Sequence, residues 1–166
     1  MTAAASPGSS ARLGTWLASR TQSSRHGEVS DMRLPLLGGC LCGSVRYEVH
    51  TAPRNTFYCH CRDCQKETGG PYAMEIYITR EALKMIGPRV SFAVIGDSGK
   101  EVRRVRCARC GSPLVTEFDV APDFICIKAC SLDDASDLRP DFHVYVKSKQ
   151  PWDRIEDGLP QLSGDF

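Results

Sequence analysis

The chain has 166 residues, a formal net charge of +1 and 25% charged residues, which fits one ordinary globular domain with room for a core. The near-neutral balance argues against an electrostatic nucleic-acid binder, and no apolar run is long enough to span a bilayer. Nine cysteines, an odd count gathered in close groups, suit metal binding in a reducing compartment such as the cytoplasm better than a closed disulfide framework.

Residues 1–33 are rich in Ala, Ser, Thr and Gly and read as a disordered tail, or as sequence upstream of a true start at Met32. Arg12, Arg20 and Arg25 precede the first acidic residue, Glu28. That bias also matches an organellar transit peptide, which is the second reading of the tail. The domain is expected over residues 34–160, with 161–166 as a C-terminal tail. Its first feature is the glycine-punctuated knuckle Gly39-Cys40-Leu41-Cys42-Gly43.

Val45, Tyr47 and Val49 alternate with Arg46, Glu48 and His50, the pattern of a half-buried strand. Ala52-Pro53-Arg54-Asn55 is a turn, and Thr56-Phe57-Tyr58 leads as a strand into Cys59-His60-Cys61-Arg62-Asp63-Cys64. Ala73 to Ile78 forms the next strand, with Met74, Ile76 and Ile78 on one side. Thr79 is placed to cap a short helical turn through Leu83. Further strands are expected at 90–95, 102–106, 113–118, 123–128 and from Phe142 through Val146. The sum is a mostly β domain of short strands with few helical turns.

Seven thiols fall in three groups: Cys40 and Cys42; Cys59, Cys61 and Cys64; Cys107 and Cys110. A closed structural zinc takes four ligands, and a catalytic one commonly takes three and keeps a position open. Seven therefore divides into the two outer pairs, as a closed site, and the central triple, as an open one. An alternative is that all seven serve structural zinc, with His60 or Asp63 completing the central set. A redox dithiol at Cys61 and Cys64 is a third reading, weakened by the lack of a surrounding βαβ pattern.

The knuckle with its following Ser44-Val45-Arg46-Tyr47, the central Cys59–Cys64 stretch, and Cys107-Ala108-Arg109-Cys110-Gly111-Ser112-Pro113-Leu114 together resemble the glutathione-dependent formaldehyde-activating family, which includes the centromere-protein-V proteins. Phe142 to Trp152 resembles its C-terminal strand and Pro-Trp turn. The resemblance implies an antiparallel β-tent fold with two zincs. It implies that Cys40, Cys42, Cys107 and Cys110 hold the structural one. Cys59, Cys61 and Cys64 would hold the catalytic one. It further implies a carbon–sulfur lyase acting on a thiol–aldehyde adduct such as S-hydroxymethylglutathione, with a small thiol and an aldehyde as partners.

The other class of function is a non-catalytic zinc module that binds a protein or nucleic-acid partner. His60 is a candidate proton shuttle, but an extended stretch turns it away from Cys59 and Cys61, toward a hydrogen-bonded structural role. Lys100, Arg103, Arg104, Arg106 and Arg109 are expected on a solvated strand face, offsetting thiolate charge. His143 is expected on the polar side of its strand. Cys126 and Cys130 are expected to pack as small hydrophobes, and Trp152 to plug the edge of the core.

Overall fold

The computed structural model describes residues 32–166; the readings placed on residues 1–31 lie outside the described residues. Ten strands make two sheets. The smaller has the order β1-β2-β5, with β1 at Leu36–Gly39, β2 at Arg46–Val49 and β5 at Leu83–Ile86.

The larger sheet has seven strands in the order β10-β3-β4-β9-β8-β7-β6. They are β3 (Asn55–Cys59), β4 (Ala73–Thr79), β6 (Arg89–Ile95), β7 (Glu101–Cys107), β8 (Pro113–Phe118), β9 (Phe124–Lys128) and β10 (Phe142–Val144). Every pairing is antiparallel except β10 with β3, which is parallel. The mostly β architecture expected from alternation is present.

The period of two along each strand separates two faces. Ile76 and Ile78 of β4 register against Ile127 and Ile125 of β9. They are buried with Tyr47 and Val49 of the small sheet in one apolar cluster. The opposite face carries Phe57, Glu75, Tyr77, Cys126, Lys128, Thr116 and Arg104, related by the same register. A soluble sheet with one polar face ordinarily turns that face to water. Here part of it lies under α1 (Arg62–Thr68).

α1 was not anticipated, because seven residues are too few to show a helical period. Cys61 is its N-cap, with its sulphur accepting from the Cys64 N–H at 3.3 Å. Gly69 ends it at φ 74°, a left-handed conformation that glycine adopts without Cβ strain.

Buried ions pin α1 to the sheet. Glu67 of α1 meets Lys128 at 2.9 Å and Arg104 at 3.2 Å, and Lys128 meets Glu75 at 2.5 Å. Burial lowers the Lys128 pKa, but the carboxylates of Glu75 and Glu67 and the nearby Cys64 outweigh it and hold the amine charged. Removing one partner of such a set strands the others in low dielectric. Lys128→Met should therefore cost about 3–5 kcal/mol in urea unfolding; an unchanged midpoint would show that Glu67 and Glu75 do not depend on it.

Several expectations need correction. Arg104 is buried, 7% exposed, because Glu67 covers its face, so the basic run is not uniformly solvated. His143 is buried too. Trp152 is 68% exposed; the sheet edge is covered instead by residues 160–164, which hydrogen-bond to His143, Tyr145 and Val146. Phe166 of the same terminal segment packs against Phe57, Tyr77 and Phe142. Cys126 is buried as expected, but Cys130 is exposed in the short 3-10 turn that follows β9. Val146 also falls in a 3-10 turn, past the end of β10. Thr79 precedes a turn, but its side chain accepts no cap bond.

Candidate metal centres and their cavity

The first thiol group is built from two hairpin-like knuckles. Cys40 and Cys42 follow β1, and Cys107 ends β7 with Cys110 in the turn after it. Their four sulphurs lie within 4.8 Å of one another. Cys40 and Cys42 sulphurs are 3.5 Å apart, and those of Cys42 and Cys107 are 3.9 Å apart. Four sulphurs around one zinc, each at about 2.3 Å, stand about 3.8 Å from each other, so the quartet fits that ion.

The surroundings favour thiolate at Cys40 and Cys110, while at Cys42 the Ser44 hydroxyl and N–H pull the pKa down and the neighbouring Cys40, burial and Cys110 push it up on balance. The Val45 N–H donates to Cys40 at 3.2 Å and the Arg109 N–H to Cys107 at 3.3 Å. Burial raises the Cys40 pKa, yet the Val45 N–H and the Ser44 hydroxyl bring it down to about 7. The Ser112 hydroxyl and N–H draw Cys110 down to about 5. Gly87 keeps the next turn close by: a Cβ there would stand 2.1 Å from the Ser44 carbonyl oxygen.

The second group comprises Cys59 at the end of β3, Cys61 at the helix cap and Cys64 in α1. Their three sulphurs also lie within 4.8 Å of one another. Thiols this close cannot all ionise unaided. The Cys59 and Cys64 thiols donate to Cys61 and hold its pKa far down, while Cys59 and Cys64 are pushed up in turn. A divalent cation with a preference for sulphur would meet that charge, and an all-thiol donor set suits zinc.

These three cysteines line a cavity of about 530 Å³ with Phe57, Glu75, Tyr77, Arg104 and Thr116 among its other walls. That volume lies in the usual range of small-molecule sites. None of the four quartet cysteines lines it. The two groups therefore differ in ligand number and in surroundings: Cys42 and Cys110 of the quartet are exposed at the surface, while the more buried triad adjoins a cavity.

His60 lies outside those cavity walls. Its ring is fully buried, with Nε2 2.8 Å from Nδ1 of His143, whose Nε2 stands 2.9 Å from Asp157. Burial, then the charge of His143, lowers the His60 pKa. Its backbone N–H donates to Val144. The imidazole between the thiols thus fixes the loop to β10 and does not line the cavity. Neither His60 nor Asp63 joins the three sulphurs as a fourth close donor.

Sequence reading did not identify Glu67, Glu75, Thr116 and Lys128 as neighbours of the central cysteines. They come from α1, β4, β8 and β9, and only the strand register brings them together.

The fold is a mostly β domain with a four-thiol group and a separate three-thiol group facing a cavity, and each group could hold a metal ion through sulphur. The glutathione-dependent formaldehyde-activating enzyme family model matches residues 35–148, and the chain belongs to that family. No curated protein matches it. Among solved structures it is similar to the crystal structure of a Rhodobacter sphaeroides protein, at 17% identity and a TM-score of 0.48, over 63% of this chain and 92% of that one.

Proposed function

We propose that the chain is a zinc-dependent carbon–sulfur lyase-type enzyme acting on glutathione-like thiol adducts of small aldehydes. S-hydroxymethylglutathione is the reference substrate. Membership of the formaldehyde-activating family supports the substrate class. The observation that carries the reading is the contrast between the thiol groups: Cys59, Cys61 and Cys64 line a cavity of about 530 Å³, and the quartet does not. The proposed domain is residues 34–160, and Asp165 and Phe166 of the segment beyond it add to the cavity wall.

In this reading Cys40, Cys42, Cys107 and Cys110 hold one zinc as a clip. Cys59, Cys61 and Cys64 hold the other and leave its cavity side to substrate. Zinc there supplies a position that favours a thiolate over a thiol. The lyase direction breaks the C–S bond, with its electron pair passing to sulphur. The adduct's hydroxyl loses its proton, which passes to the departing sulphur or to solvent, as the aldehyde C=O forms. The cavity must therefore exclude bulk water and hold the one-carbon unit beside the triad. Phe57, Tyr77, Phe118 and Phe166 supply apolar wall for this.

The direct test follows exchange between formaldehyde, glutathione and their adduct by NMR, with and without the zinc-loaded protein. Accelerated exchange is expected. Exchange at the uncatalysed rate, with both metals bound, would overturn the reading.

A further inference from the structure

Three buried polar atoms on residues that line the triad cavity have no hydrogen-bond partner among the described residues: Nη1 of Arg104, Oγ1 of Thr116 and Oε2 of Glu75. Arg104, Thr116 and Glu75 are 7%, 4% and 3% exposed. Leaving such atoms unpaired costs a folded protein stability, so several on the wall residues of one cavity point to a ligand. Arg104 and Thr116 are register partners on β7 and β8, so their side chains rise side by side from one face of the sheet.

The charge around them says what kind of ligand. Arg104 uses Nε on Glu67 at 3.2 Å and Nη2 on Asp63 at 3.5 Å. Glu67 and Glu75 are balanced by Lys128 and Arg104, so this buried set carries no surplus positive charge. The remaining ionisable walls are Arg62 against Asp63, Asp97 and Asp165, which adds negative charge. A carboxylate or phosphate placed against Arg104 and Thr116 would meet net repulsion, so the part of the adduct that meets this wall is not one of the glutathione carboxylates. A neutral oxygen would not. The Arg104 Nη1 and Thr116 hydroxyl can donate to it, and the free Glu75 oxygen can accept its proton in a hydrogen bond.

We propose that Arg104 and Thr116 form the specificity wall of the cavity, recognising the neutral hydroxyl oxygen of the aldehyde-derived carbon, with Glu75 as the acceptor of that hydroxyl. The wall selects hydroxyalkyl thioadducts over plain thioethers of the same thiol. This deepens the lyase reading and rests on it. The wall acts on ligand oxygen, and it is separate from the cysteines that hold metal.

The test is a binding comparison on the zinc-loaded full chain. S-hydroxymethylglutathione and S-methylglutathione are titrated at equal formaldehyde concentration, so that both samples contain the same reagent. The wild type should prefer the hydroxymethyl adduct by about tenfold, the value of one or two good hydrogen bonds to a buried group. Thr116→Val, which keeps the side-chain shape, should cut that preference at least threefold, and Arg104→Lys should reduce the ratio to near one. Should Arg104→Lys fail to fold, Thr116→Val carries the test by itself. A wild-type preference that survives Thr116→Val unchanged overturns the proposed wall and leaves the lyase reading standing. A wild type that binds both ligands equally also overturns it. Binding of neither ligand overturns the lyase reading together with the wall.

Discussion

Cys107→Ser is expected to give a chain that does not hold its fold at 37 °C. Cys107 is 1% exposed, ends β7, and lies 3.9 Å by sulphur from Cys42, 65 residues away in sequence. The quartet therefore closes a long loop and ties the turn after β1 of the small sheet to the end of β7, next to the edge strand of the large one. Binding free energy at a structural zinc is folding free energy. Loss of one thiolate should remove on the order of 5 kcal/mol or more, comparable with the whole stability of a small domain. Circular dichroism melts of the variant, beside wild type treated with a strong chelator, measure this. A variant that melts with wild type would show that the quartet is not a clip.

Cys61→Ser should act in the opposite way, sparing the fold and abolishing the chemistry. Serine is itself a good N-cap, so it can replace the Cys61 sulphur as acceptor of the Cys64 N–H, and α1 should survive. The quartet is untouched. What is lost is one of three sulphurs that converge within 4.8 Å. A metal centre contributes several kcal/mol of charge stabilisation to a transition state. Turnover should therefore fall about 10³-fold, with one zinc per chain retained by elemental analysis. Full turnover in a variant that holds only one zinc would exclude the triad from the reaction.

The cysteine groups could be found in the sequence because sulphur ligands cluster locally: C-x-C, C-x-C-x-x-C and C-x-x-C each place donors within a turn or two. Strands such as β4 were legible for a similar reason, since Ile76 and Ile78 alternate with Glu75 and Tyr77. The same alternation concealed the site. Glu75, Thr116 and Lys128 occupy polar positions of their strands, and a polar face ordinarily faces water. Here α1 and the C-terminal Phe166 cover part of that face, and nothing local in the chain announces it. Arg104 looked like one member of a basic run; its burial depends on Glu67, 37 residues earlier. His60 shows the reverse case. Its position between Cys59 and Cys61 suggested a proton shuttle, while the extended geometry turned it away, and His143 receives it there.

A triad that holds zinc and accepts a substrate thiol has a direct spectroscopic signature. Zinc-edge X-ray absorption on the two-zinc protein measures this directly, as the mean number of sulphurs per zinc. A four-sulphur site and a three-sulphur site average about 3.5, and saturating glutathione should raise the mean to about 4. A mean that glutathione leaves unchanged, or a chain that binds only the quartet zinc, would contradict the account and favour a non-catalytic zinc module.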